Sequence, residues 1–241
     1  MKHIYDDIIK TRDKKQNLFA VLIDPDKILL HQVEAFVKKV NSSIATHIFV
    51  GGSIVDANIT DNLVQEIKRH TQLPIVLFPG DVTQISEHAD ALLFLSLISG
   101  RNPDYLISKH VEAVSKLKHS NLEIIPTGYI LIENGKQTAV EKVTKTKPLS
   151  RDHIQMIVDT AKAGEYLGMK LIYLEAGSGA LKPVTNEIIS FVKQELQVPL
   201  IVGGGIQTKE QIQDAYNSGV DMVVIGTAFE LDESFFDELK K

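Results

Sequence analysis

The chain contains no cysteine and no tryptophan in its 241 residues. Without cysteine there is no disulfide framework and no thiol nucleophile. No apolar run reaches membrane-spanning length, and Met1-Lys2-His3-Ile4-Tyr5-Asp6-Asp7 is mixed and charged where a signal peptide would be apolar. A cytoplasmic chain without stable membrane insertion is therefore expected. Basic clusters are also missing: 26 Lys and Arg stand against 31 Asp and Glu, a formal net charge of -5, which argues against nucleic acid as a partner. The eight histidines show no metal-ligand spacing. There is no low-complexity tract and no repeat beyond the βα period discussed next.

Hydrophobic residues make up 44% of the chain, enough for a large core, and the length suits one (β/α)₈ barrel domain over residues 1–241. Short β-branched runs alternate with longer amphipathic stretches. Strands are expected at Phe19–Ile23, His47–Val50, Pro74–Phe78, Ala91–Leu95, Leu122–Pro126, Lys170–Leu174, Pro199–Val202 and Asp221–Ile225. Helix starts are marked by Asn102-Pro103 and by Thr208-Lys209-Glu210-Gln211, a capping box. Asp81 to Asp90 is too short and polar for a full crossover helix, so the third unit is expected to be abbreviated, with a turn or extended segment there. Glu133 to Pro148, polar and rich in Lys and Thr, reads as a mobile loop on the catalytic face.

Three clusters carry chemistry. Val202-Gly203-Gly204-Gly205-Ile206 and Ile225-Gly226-Thr227-Ala228 follow the last two strands, where backbone N–H groups at glycine turns form the common phosphate site of a barrel, the plain alternative being glycines that only permit tight βα turns. At strand 1, Val21-Leu22-Ile23 runs into Asp24-Pro25-Asp26-Lys27; a carboxylate there points into the mouth, where a hard cation such as Mg²⁺ can be held by one carboxylate and substrate phosphates, the plain alternative being that Asp24 or Asp26 only caps the following helix. Phe49-Val50-Gly51-Gly52-Ser53 brings a glycine turn and a hydroxyl to the adjacent strand, making a second anion site. At strand 6, alternation puts Tyr173 and Glu175 on one face, and Gly177-Ser178-Gly179 offers N–H groups and a hydroxyl to a polar ligand. Ser178 is not a hydrolase nucleophile, because Ala176 stands where the Gly-x-Ser-x-Gly elbow needs glycine. Glu175 has a plain alternative, a carboxylate paired with a buried Arg or Lys.

Taken in order, these motifs resemble the geranylgeranylglyceryl phosphate synthases and their bacterial heptaprenylglyceryl relatives. The resemblance spans nearly the whole chain: Ile23-Asp24-Pro25-Asp26-Lys27, Val50-Gly51-Gly52-Ser53, Leu77-Phe78-Pro79-Gly80, Ser99-Gly100-Arg101-Asn102-Pro103, Pro126-Thr127-Gly128-Tyr129-Ile130, Tyr173 to Gly179, Val202-Gly203-Gly204-Gly205 and Ile225-Gly226-Thr227. Each motif is weak alone; the ordered set is specific. It implies a modified TIM (β/α)₈ barrel with the third helix replaced by a short or strand-like segment. It also implies Mg²⁺-dependent transfer of a geranylgeranyl group from its diphosphate to the 3-hydroxyl of sn-glycerol 1-phosphate, a step of ether phospholipid synthesis.

By position, the resemblance makes Asp24 and Ser53 the Mg²⁺ ligands, and gives catalysis to Asp24 and Glu175, the latter orienting the hydroxyl or taking its proton. Tyr173, Leu174, Glu175, Ala176, Gly177, Ser178, Gly179, Gly203, Gly204, Gly226 and Thr227 correspond to the glycerol phosphate site. The prenyl channel is expected on the strand 3 to strand 4 side, with Phe78, Leu95, Leu97, Ile98, Tyr105 and Tyr129, and Tyr105 as its far stop. Homo-oligomers, dimers or hexamers, are expected. Three alternatives stay open: another phosphate-binding barrel enzyme such as an isomerase or cyclase, a non-catalytic phosphate sensor or assembly subunit, and a heptaprenyl instead of a geranylgeranyl donor.

Overall fold

In the computed structural model, residues 3–52, 55 and 58–240 are described. Eight parallel strands close a barrel in sequence order, each paired with the next and the last with the first. They are β1 Leu18–Ile23, β2 His47–Val50, β3 Ile75–Leu77, β4 Ala91–Leu97, β5 Glu123–Leu131, β6 Leu171–Glu175, β7 Leu200–Gly203 and β8 Met222–Ile225. The eight expected strands all form. β4 and β5 run further toward the mouth than their apolar runs suggested, because Ser96, Thr127 and Gly128 fit the ladder despite their polarity or size.

The strands are apolar on both faces because both are covered. Alternate residues such as Leu18 and Ala20 of β1 and Leu171 and Tyr173 of β6 fill the barrel interior. Their neighbours Phe19, Val21, Ile172 and Leu174 pack against the surrounding helices. These helices are α2 Val33–Ser42, α3 Ile59–His70, α4 Ser108–Leu117, α5 Ala139–Thr144, α6 Ile154–Tyr166, α7 Asn186–Glu195, α8 Lys209–Asn217, α9 Thr227–Leu231 and α10 Phe235–Glu238. An N-terminal helix, α1 Ile4–Asp13, plugs the floor of the barrel with Ile4 and Ile8. Its first N–H groups, on Ile4 and Tyr5, donate to the Glu123 carboxylate at the start of β5, which satisfies donors that a helix start leaves open.

The abbreviated third unit is present as expected. Between β3 and β4 stands only a 3-10 turn, Val82–Gln84, capped by the Asp81 side chain, which accepts from the Thr83 N–H at 3.1 Å. The buried Gln84 ties this turn to the barrel rim: its amide donates to the Gly52 carbonyl at 2.8 Å and its oxygen accepts from the Gly52 and Gly80 N–H groups. Thr208 forms the anticipated capping box with Gln211. Asn102-Pro103 opens a 3-10 turn, Pro103–Tyr105, and the helix itself starts later, at Ser108.

The segment from Glu133 to Pro148 is not a structureless loop. It holds α5, whose start is a capping box in which the Glu141 N–H donates to the Thr138 hydroxyl and the Thr138 N–H to the Glu141 carboxylate. The Thr138-x-x-Glu141 spacing was the signal for it, outweighed by the lysine and threonine content. Asn102 anchors its far end by donating to the Thr144 carbonyl at 2.8 Å.

Candidate active site

Alternation along the strands decides which side chains reach the mouth. On β1 it continues from Leu18 and Ala20 through Leu22 to Asp24; on β6 it runs from Leu171 through Tyr173 to Glu175. Leu174 and Ala176 face the helix layer, so only their backbones are available to a ligand. A single cavity spans the C-terminal rim, lined by Asp24, Lys27, Gly52, Phe78, Tyr105, Tyr129, Tyr173, Glu175, Gly177 to Gly179, Gly204, Gly226 and Thr227, among others. It therefore joins most of the residues the sequence singled out. Gly203 lies directly behind it, against the Tyr173 ring and the Glu175 carboxylate.

Glu175 is buried, with no cation beside it among the described residues. Its Oε1 accepts from the Gly177 N–H at 2.6 Å. Burial pushes the Glu175 carboxyl up to about 7, held from rising further by the Gly177 N–H and the neighbouring Tyr173 hydroxyl. A carboxylate tuned to that range takes a proton readily at neutral pH. The Tyr173 hydroxyl is buried without a well-formed hydrogen bond, and its ring packs between Phe78 at 5.1 Å and Tyr129 at 5.6 Å. These three rings form an aromatic floor between the polar and apolar ends of the cavity. The paired-cation reading of Glu175 is thereby excluded among the described residues.

At the polar end the Ser178 and Thr227 hydroxyls lie 3.2 Å apart, and Thr227 accepts from the Gly179 N–H at 3.2 Å. Gly177 and Gly179 both have positive φ, which turns the loop back toward α9. Asp24 sits across the mouth, its Oδ2 3.5 Å from the Lys27 ammonium, which also contacts Glu230 at 2.8 Å. Burial lowers the Lys27 pKa, but the Glu230 and Asp24 carboxylates more than offset this and leave it raised, so the side chain stays charged.

The apolar end comes from the truncated third unit. Only the first two residues of β4, Ala91 and Leu92, pair with β3, whereas all seven pair with β5. The free edge of β4 has no α-helix of the third βα unit over it, and the cavity wraps around it, touching the inward Leu93, Leu95 and Leu97 and the outward Leu92 and Phe94. From Leu97 back to Leu92 the wall is roughly 16 Å long at ~3.3 Å per residue. His110 and Ala113 of α4, with Val140 and Val143 of α5, complete it. Sequence reading missed these four; for α5 the capping box was a signal, but nothing in the local sequence marks His110 or Ala113.

Phe78, Leu95, Leu97, Tyr105 and Tyr129 line this cavity as anticipated. Ile98 does not: it is turned outward and packs by Gly128 and Gly164 under α6. Tyr105 follows the mouth end of β4 in the chain, its hydroxyl donating to the Val143 carbonyl at 3.4 Å. Expected as the far stop, Tyr105 lines the same cavity as Phe94 and Ala113.

The residues present fit a hard cation in one way. Asp24 offers an accessible carboxylate at the mouth, and among the described residues no group of three acidic, histidine or cysteine ligands gathers anywhere. That suits Mg²⁺, which keeps waters and binds through one or two carboxylates plus substrate phosphates, and does not suit a closed all-protein cage. Ser53, the other expected ligand, lies outside the described residues.

A closed parallel barrel with a hydroxyl and glycine cradle at its C-terminal rim, an acid tuned near neutrality and an apolar cleft beside it defines a (β/α)₈ enzyme for a phosphorylated and an apolar substrate. The chain belongs to the PcrB family, whose model matches residues 7–241. It is 56% identical to the geranylgeranylglyceryl phosphate synthase of Flavobacterium johnsoniae over 97% of this chain and 96% of that one. It is 41% identical to the synthase of Thermococcus gammatolerans over 90% and 86%. Its structure matches that of (S)-3-O-geranylgeranylglyceryl phosphate synthase from Thermoplasma acidophilum in complex with the substrate sn-glycerol-1-phosphate, with a TM-score of 0.92, 31% identity and coverage of 99% and 96%.

Proposed function

We propose that this chain is a prenyltransferase that joins geranylgeranyl diphosphate to the 3-hydroxyl of sn-glycerol 1-phosphate and releases diphosphate. The observation that carries this reading is the continuity of one cavity from the Ser178 and Thr227 cradle, past Glu175, to the apolar cleft along β4. An isomerase or cyclase for small polar substrates has no use for that cleft, and a phosphate sensor has no use for a buried acid between the two ends.

Glycerol phosphate is held by the hydroxyls and N–H groups of Ser178, Gly179 and Thr227, which leaves its 3-hydroxyl toward Glu175. The prenyl tail lies along β4, so the aromatic floor of Phe78, Tyr129 and Tyr173 comes under the reacting carbon. These faces stabilise positive charge as it develops there and exclude water that would compete with the hydroxyl. The bond from the allylic carbon to the diphosphate oxygen breaks, the bond to the glycerol oxygen forms, and the hydroxyl proton passes to Glu175. Mg²⁺, when bound with the diphosphate, supplies charge that stabilises the leaving group, and Asp24 is the residue that would hold it.

The test is incubation of the purified protein with Mg²⁺, sn-glycerol 1-phosphate and geranylgeranyl diphosphate, with release of diphosphate and formation of the ether lipid as readouts. Heptaprenyl diphosphate is run in parallel. No product with either donor overturns the reading.

A further inference from the structure

Two lysine side chains line the cavity, Lys27 and Lys109. Lys109 is committed to the apolar side, held by Asp81 at 2.5 Å and lying over the Tyr105 ring. Lys27 stands at the polar end, where the Lys136 ammonium also comes within 3.3 Å of the place a Cβ on Gly179 would take. Its ammonium is 3.5 Å from the Ser178 hydroxyl, 3.5 Å from Asp24 and 2.8 Å from Glu230. The cradle of Ser178, Gly179 and Thr227 is made of neutral donors, and the other charged groups that line the cavity beside it are carboxylates: Asp24, Glu175 and Glu230. A positive charge favours a phosphate dianion entering such a site, and Lys27 is the cavity-lining cation that contacts a cradle hydroxyl.

We infer that Lys27 is a ligand of the glycerol phosphate's phosphate group, and that Glu230 is the stand-in anion that holds it until that substrate arrives. Three observations support the exchange. The Lys27 side chain is 41% exposed and Glu230 23%, so their ion pair is screened and weak, and little is lost when it opens. A phosphate brings more charge and three acceptor oxygens, so it outcompetes a single carboxylate for an ammonium. Finally, Lys27 already touches Ser178, so it reaches the bound phosphate by turning its flexible stem, with no movement of the backbone. Glu230 is placed to oppose phosphate binding: it competes with the dianion for Lys27, and its released carboxylate is left beside the cradle. The inference rests on the glycerol phosphate site proposed above.

The experiment is calorimetric titration of the full chain with sn-glycerol 1-phosphate alone, without prenyl donor. Lys27→Gln should bind about tenfold or more weakly, the usual order for loss of one charge-assisted contact. Lys27→Arg, which keeps the charge, should retain most of the affinity. Glu230→Gln should bind more tightly than wild type, because the competing carboxylate is gone. A lysine and glutamate that merely tie the β1 loop to α9 would make both glutamine variants weaker or leave both unchanged; either result overturns the assignment. Absence of binding by the wild-type protein overturns the glycerol phosphate site itself, and this inference with it. Should Lys27→Gln fail to fold, Glu230→Gln decides: tighter binding supports the exchange, and unchanged or weaker binding overturns it.

Discussion

A Cβ on Gly204 would lie 2.3 Å from the Oε1 of Glu175. Besides the phosphate turn proposed for it, the glycine just after β7 therefore makes room for the Glu175 carboxylate of the neighbouring strand. The same relation recurs across the mouth, where a Cβ on Gly52 would fall 2.6 Å from the Oδ1 of Asp24. Each site carboxylate is seated against the glycine turn of an adjacent strand.

Gly204→Ala is consequently expected to damage catalysis beyond phosphate affinity. The added methyl meets Glu175 and also the Gly177 and Ala176 N–H groups, and the residue has a φ of +83°. The left-handed conformation alone costs roughly 1–2 kcal/mol. Thermal melting should show lower stability, and kcat should fall together with a rise in KM for glycerol phosphate. A variant with normal stability and kcat, altered only in that KM, would show that the turn serves the phosphate alone.

The carboxyl of Glu175, raised to about 7 by burial, gives two linked expectations. If Glu175 takes the hydroxyl proton, kcat/KM rises with pH and levels off above about 7, and Glu175→Gln removes that dependence along with most activity. Stability runs the other way. Between the ordinary 4.5 and about 7 the folded chain binds a proton that the unfolded chain has released, so stability falls as pH rises through this window. Glu175→Gln should therefore be more stable than wild type at pH 8, by at most about 3 kcal/mol, with little advantage below pH 5. Equal melting temperatures at both pH values would contradict the buried, unpaired state of this carboxyl.

Asp24→Asn removes an anionic ligand without changing volume, so the protein should melt like wild type. Turnover should drop ~100-fold or more, as for loss of a main charge-stabilising group. Activity near wild type at ordinary Mg²⁺ would remove Asp24 from the metal assignment.

For the tail, the informative pair is Tyr105→Ala and Ala113→Phe. Tyr105 borders the mouth, whereas Ala113 presents only a methyl to the cleft, one helical turn from His110, whose ring packs on Phe94 at 4.4 Å. A ring at 113 fills space that a long chain needs, and each CH₂ displaced from the cleft forfeits roughly 0.8 kcal/mol. The ratio of kcat/KM for a heptaprenyl to a geranylgeranyl donor should fall in Ala113→Phe and stay near wild type in Tyr105→Ala. The opposite pattern would put the chain-length limit at Tyr105.

The sequence by itself determined the barrel: eight short apolar runs separated by amphipathic stretches have few other ways to bury both strand faces. It also marked the missing third helix, since Asp81 to Asp90 cannot span a crossover, and it placed Asp24, Glu175 and the glycine turns at strand ends, where alternation and βα order are local properties. Tertiary structure decided what depends on neighbours distant in the chain. Lys27 meets Ser178 and Glu230 only because a closed barrel sets β1 beside β8 and brings the β6 loop over α9. That no cation among the described residues pairs with Glu175, and hence that burial raises its pKa, follows from what the fold packs around it. The apolar cleft exists because β4 outruns β3 at a shared edge, a matter of register that no run of residues along one strand records.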